Sequence, residues 1–163
     1  MAKVRPIPEG FHTLAPHLVV RGGIKAIDFY QKAFGAKLVR KMLMPDSDLV
    51  MHAELQIGDS HLFLADEMPW PGVCPRSPQS LGGTSVTIHL WSENADATFE
   101  QATKAGAKVT MPLMDAFWGD RYGKLADPFG HEWSVGTHLK DLSPEEIDRA
   151  GREAMANMSE GKK

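Results

Sequence analysis

Gly35-Ala36-Lys37-Leu38 recurs as Gly106-Ala107-Lys108-Val109, and both copies belong to the same succession of segments. In the first half, residues 14–20 read as a strand. Residues 24–34 read as a helix, because Ile24, Ile27, Tyr30, Gln31 and Phe34 recur at three- and four-residue steps and Gly35 stops it. Strands follow at 37–44, 49–57 and 61–65, divided by the Pro45-Asp46-Ser47-Asp48 and Gly58-Asp59 turns. The second half repeats the order with a strand at 85–91, a helix at 95–104, strands around 109–117 and 121–126, and a last strand through Val135. Its turns are Gly119-Asp120 and Asp127-Pro128-Phe129-Gly130. A unit with a single helix leaves one sheet face bare, so two such units must bury or share it. The expected fold is α+β: two βαβββ modules forming a curved eight-stranded mixed sheet around a U-shaped cleft, with the helices outside.

The repeat places module one at about 13–68, a Pro-rich linker at 69–82 and module two at about 83–138, within one domain of 163 residues. Ser143-Pro144-Glu145-Glu146 then combines a capping box with proline at the first helical position, which predicts a helical tail over 141–158. The single Cys74 excludes an intramolecular disulfide and any cysteine-pair zinc module, so a metal would have to be held by His and carboxylates. With 18 basic against 21 acidic residues and no basic run, the chain carries no electrostatic footprint for nucleic acid. No stretch approaches the ~20 apolar residues of a membrane span. The expectation is a cytoplasmic protein with neither nucleic acid nor membrane as partner.

Strand alternation assigns faces. In 51–57, Met51, Ala53, Leu55 and Ile57 share the helix side, while His52, Glu54 and Gln56 share the other. Leu18 and Val20, like Val86, Ile88 and Leu90, face the helices, and His17 and His89 occupy equivalent places on the opposite face. Aligning the turns makes Tyr122 the counterpart of His52 and Lys124 that of Glu54. His17, His52, Glu54, His89 and Tyr122 therefore converge as candidate small-molecule contacts, with Trp118 at the lip, because pockets need a few polar groups in an apolar setting. His12, His61, His131 and His138 sit beside turns or at element ends and read as ordinary surface imidazoles.

Ala26-Ile27-Asp28-Phe29-Tyr30 with Phe34-Gly35-Ala36, and Ala105-Gly106-Ala107 with Asp127-Pro128-Phe129-Gly130-His131, resemble the vicinal oxygen chelate superfamily of glyoxalases, bleomycin resistance proteins and dioxygenases. The likeness covers residues 13–138. Within it, Phe117-Trp118-Gly119-Asp120-Arg121-Tyr122-Gly123, Asp127 to Ser134, and Asp141-Leu142-Ser143-Pro144-Glu145-Glu146 are similar to the PhnB-like branch. The resemblance implies paired modules, a U-shaped cavity and a homodimer. Metal-dependent members keep one ligand on the first and one on the last strand of each module, places that fall here on Ala15, Leu64, Thr87 and Ser134. None of these is a good ligand for a divalent ion.

The leading expectation is thus a PhnB-like protein that binds a small molecule without the usual metal. Leu62, Leu64, Trp91 and Trp118 would wall the cleft, and His17, His52, Glu54 and His89 would orient the ligand. No catalytic residue is assigned. One alternative is a metal-dependent glyoxalase-like lyase or isomerase, or a dioxygenase, whose zinc, nickel, manganese or iron sits on a displaced site of His17, His89 and Glu54. Another is a non-catalytic interaction protein that uses its C-terminal helix and the Pro69 to Pro78 segment. A methyltransferase label, common in this branch, finds no Gly-x-Gly loop joining a strand to a helix.

Overall fold

The computed structural model describes residues 4–70 and 75–160, so the middle of the Pro-rich linker, with Cys74, lies outside the described residues. Module one runs β1 (His17–Val20), α1 (Gly23–Phe34), β2 (Lys37–Leu43), β3 (Val50–Ile57) and β4 (Ser60–Asp66). A short α2 (Pro78–Leu81) interrupts the linker. Module two repeats the order as β5 (Thr87–Trp91), α3 (Ala95–Ala105), β6 (Lys108–Asp115), β7 (Asp120–Ala126) and β8 (Glu132–His138), and α4 (Pro144–Glu160) follows. Among the described residues, no helix is long and apolar enough to cross a membrane.

The eight strands form two four-stranded mixed sheets, ordered β1-β4-β3-β2 and β5-β8-β7-β6, rather than one continuous ladder. In each sheet the first strand runs parallel to the last, and the remaining pairs are antiparallel. The seam has a visible cause on the β1 side. The Val19 carbonyl lies 3.2 Å from the ring Nε2 of His131, so this outward backbone group meets a side chain of module two instead of a β5 amide. Burial of a free strand edge requires such a partner. His131 is consequently buried at 9% exposure, which corrects its assignment to the surface.

Helix α1 begins without a cap of its own. Asp66, at the end of β4, supplies one: Oδ1 accepts the amides of Gly22 and Gly23 at 2.8 and 2.9 Å, and Oδ2 accepts that of Val50 at 2.8 Å. A Cβ on Gly23 would stand 2.6 Å from Asp66 Oδ2, so only glycine fits there. Helix α3 is capped locally, by Asn94 Oδ1 on the Ala97 amide at 2.9 Å. The buried side of α1 is Ala26, Ile27, Phe29, Tyr30, Ala33 and Phe34, whereas Gln31, expected on that side, is exposed. In the linker, Ser77 and Ser80 donate their hydroxyls to Glu67 Oε2 at 2.6 and 2.5 Å, and these bonds hold the carboxyl down at about 2.

One apolar core serves both modules, because their helices pack on each other and share side chains. Phe34 of α1 lies 4.6 Å, centroid to centroid, from Trp133 of β8. The Tyr30 hydroxyl donates to Asp127 Oδ2 at 2.7 Å, and Trp133 Nε1 donates to the same oxygen at 2.9 Å. Oδ1 of Asp127 accepts the Phe129 and His131 amides, both at 2.9 Å. The Asp-Pro-Phe-Gly turn is thus a buried clasp between modules as well as a hairpin. With the apolar faces committed to this core, the opposite sheet faces carry the polar chemistry.

Candidate functional site

In the first sheet, strand register aligns His17, Phe63, Glu54 and Arg40 across β1, β4, β3 and β2. The His52 ring stands 5.3 Å from Phe63 and 6.3 Å, edge-on, from His17. His61 Nδ1 lies 2.9 Å from Glu54 Oε1, and the two side chains are only 10% and 15% exposed. That approach is too poorly aligned for a hydrogen bond, which leaves His61 Nδ1 buried without one. Phe11 stacks on the face of the imidazole at 3.9 Å. Burial, followed by the neighbouring His52, holds His17 below the ordinary imidazole value.

The equivalent row of the second sheet is His89, Ser134, Lys124 and Met111, and the next is Trp91, Gly136, Tyr122 and Met114. His89 Nδ1 lies 2.8 Å from Ser134 Oγ. Trp91 meets the His89 ring edge-on at 4.5 Å, and Tyr122 lies nearly parallel to it at 6.1 Å. Trp118 packs edge-on against Tyr122 at 5.3 Å and donates its indole N–H to Asp120 Oδ2 at 2.8 Å. Gly136 leaves the room for this group, since a Cβ there would come 3.0 Å from His89 Cε1. Burial keeps His89 below the usual imidazole range, against an opposing pull from Asp120. His138 behaves oppositely: Asp141 and Asp120 flank it at 2.9 and 2.8 Å and raise it.

The six residues singled out in the sequence therefore fall into two groups, His17, His52 and Glu54 on one sheet and His89, Trp118 and Tyr122 on the other. Among the described residues, no ring contact or hydrogen bond joins the groups. At the seam, a crevice of about 490 Å³ is bounded by His61 from β4, His89 and Trp91 from β5, and Phe34 and Trp133 from the core. A second crevice of about 600 Å³ holds His17, Val86 and His131.

Alternation along β4 also corrects two expectations. His61 and Phe63 share the polar face, while Leu64, expected to wall the cleft, is wholly buried in the core and Leu62 nearly so. His138 lies on the polar face because β8 runs past Val135, pairing His138 with Asp120. His12 stays an exposed residue, 3.5 Å from Asp59.

The places that the resemblance marks for metal ligands do not supply a suitable donor set. Leu64 lies in the core, the first-module residue level with Ser134 is Phe63, and Ser134 is engaged by His89. Neither is the displaced set assembled, since Glu54 faces His61 and His89 belongs to the other sheet. Among the described residues, no three His, Cys, Asp or Glu side chains come together to hold an ion.

Comparison with known proteins agrees with this architecture. The uncharacterized protein Mb0911c of Mycobacterium bovis is 47% identical over 138 residues, covering 84% of this chain and 90% of that one. TioX from Micromonospora sp. ML1 superposes with a TM-score of 0.62 at 26% identity, over 78% of this chain and 99% of its own. A PhnB protein from Bacillus cereus shares the fold, with a TM-score of 0.60 at 17% identity over 77% and 99% of the two chains. The model of the Glyoxalase/Bleomycin resistance protein/Dioxygenase superfamily matches residues 11–135. The chain belongs to that superfamily.

Proposed function

We propose that this protein binds a small organic molecule without a metal ion and works in the cytoplasm as a homodimer. The observation that carries the proposal is the ring group of His89, Trp91, Tyr122 and Trp118, of which His89 and Trp91 line the seam crevice. Aromatic faces beside a fixed imidazole are the means by which a pocket takes flat apolar ligands and orients them. Trp91 is 59% exposed and Leu14, on the same crevice, 85%, so both have surface to give to a ligand or to a second copy. Burial keeps His17 and His89 neutral near pH 7, which suits them to hydrogen bonding.

A thermal-shift screen against a broad metabolite library tests binding. A ligand present at 100 times its dissociation constant stabilises the fold by about 2.7 kcal/mol. Binding is expected to weaken in Trp118→Ala and Tyr122→Ala. Silence across the library, or a stoichiometric divalent ion in the purified protein, would overturn the proposal.

A further inference from the structure

We propose that the polar face of the second sheet is an anion site, in which Lys124 holds the carboxylate of a flat aromatic acid whose rings pack on His89, Trp91 and Tyr122. This rests on the small-molecule proposal above, and it adds the charge and chemical class of the ligand.

Lys124 is the only lysine among the described residues that is not exposed. The only lysine ion pair among them joins Lys104 to Glu100 on α3, so no carboxylate pairs with the Lys124 ammonium. Lysine stems commonly lie along a surface with the head in water. The other described lysines do so from exposed positions, whereas Lys124 is set into a sheet face, between Ser134 and Met111 in the ladder. A half-buried cation without a counter-charge is unfavourable, and an anion delivered by a ligand offsets that cost with a charge-assisted hydrogen bond.

The carboxylates of the same face are engaged elsewhere. Asp120 accepts the Trp118 indole N–H on Oδ2 and faces His138 with Oδ1, both at 2.8 Å. Glu132, two residues before Ser134 on β8, accepts the Thr110 hydroxyl at 3.4 Å. Module one reverses the sign, because the counterpart of Lys124 there is Glu54, beside His61.

Aromatic surface adjoins the ammonium. Gly136 lets two rings lie down on the sheet: a Cβ there would come 3.0 Å from His89 Cε1 and 3.3 Å from both His89 Nε2 and Trp91 Cζ3. Tyr122, paired with Gly136, stands on the other side, with Trp118 behind it at 5.3 Å. Tyr122 is two residues from Lys124 on β7, about 7 Å, and His89 is two strands away in the same row, about 10 Å. A fused two-ring acid spans such distances. Met111 and Met114 close the β6 end with soft apolar surface. These two rows hold one cation and no arginine, which suits a singly charged carboxylate rather than a phosphate.

The full chain can be tested by titration calorimetry with 2-naphthoate and its uncharged amide, which share one ring system. Naphthoate is expected to bind about tenfold more tightly at low salt, and the difference should shrink as salt rises. Lys124→Met should lose that tenfold for naphthoate and leave the amide unchanged, so amide binding also shows that the variant is folded. Lys124→Gln repeats the test if it is not, and Lys124→Arg should keep most of the preference. Glu132→Gln, which removes a negative charge from the face, should tighten naphthoate alone. Lys32→Met, on α1, should change neither ligand. Equal binding of the two ligands, no binding of naphthoate, or a preference that survives both Lys124→Met and Lys124→Gln would overturn the proposal. Equal binding refutes the anion site and leaves small-molecule binding standing; a silent metabolite screen refutes binding itself.

Discussion

Replacement of Asp127 by Asn probes the clasp between modules with almost no change of shape. Oδ1 accepts two backbone amides, and Oδ2 accepts the Tyr30 hydroxyl and the Trp133 indole N–H. If Asn keeps its oxygen on the amides, its Nδ2 faces two donors. The tyrosine hydroxyl can rotate and accept, but the indole cannot. One buried N–H is then left facing another donor, which costs about 1–3 kcal/mol, and the remaining bonds lose charge assistance worth roughly 1 kcal/mol each. The sum is about 3–5 kcal/mol, a large part of the ~5–15 kcal/mol available to a domain. At this chain length that corresponds to a fall in Tm of roughly 6–20 °C. Urea unfolding of both proteins gives the difference directly, with equal slopes expected because the surface exposed is the same. Tyr30→Phe should cost less, about 1–2 kcal/mol, since the carboxylate keeps its other three donors. A loss below ~1 kcal/mol in Asp127→Asn would refute the account of the clasp.

Gly136→Ala would place a Cβ 3.0 Å from His89 Cε1 and 3.3 Å from Trp91 Cζ3; displacement of these rings is expected to weaken ligand binding by about tenfold at a cost of ~1–2 kcal/mol in stability, both readable in one thermal-shift titration. His138 is raised above 6.5 by Asp141 and Asp120, so its hold on the chain entering α4 is complete below that value and lost as pH rises through the raised one. Intrinsic-rate-corrected amide exchange in the first turn of α4 should therefore quicken above neutral pH, and His138→Gln should abolish the trend; slower exchange at high pH would contradict the assignment. Glu67, held at about 2 by Ser77 and Ser80, contributes above its ordinary value of 4.5 and loses that contribution as pH falls toward 2. Glu67→Gln should speed tryptic cleavage at Arg76, and an unchanged rate would show that α2 holds without the carboxylate.

The element order and the facing of most strands were legible because they depend on local chemistry: alternation along each strand and glycine at each helix end. The division into two sheets was not. It depends in part on His131 reaching the Val19 carbonyl, a contact between residues far apart in sequence that no periodicity encodes. The role of Asp127 was hidden for the same reason. Its Asp-Pro turn is readable, but its use as an acceptor for Tyr30 and Trp133 needs both modules in place. Gln31 was placed on the buried side of α1 by spacing alone, whereas Phe29 and Ala33 take that side because α1 is covered by both a sheet and α3.

In the site, the same alternation that put His52 and Glu54 on the polar face also places His61 there, opposite Gln56 in the ladder. Its position beside a turn obscured this, and Leu64 was misplaced by a single residue, which in a strand reverses the face. Once register is fixed, the repeat shows a division of chemistry. His17 and His89 are kept in equivalent rows, but their neighbours diverge to Phe63, Glu54 and Arg40 on one sheet and to Ser134, Lys124 and Met111 on the other. Beside the crevice, module one contributes an imidazole buried next to a carboxylate and module two an imidazole bonded to a hydroxyl among aromatic rings. A ligand in the crevice would thus meet unlike walls.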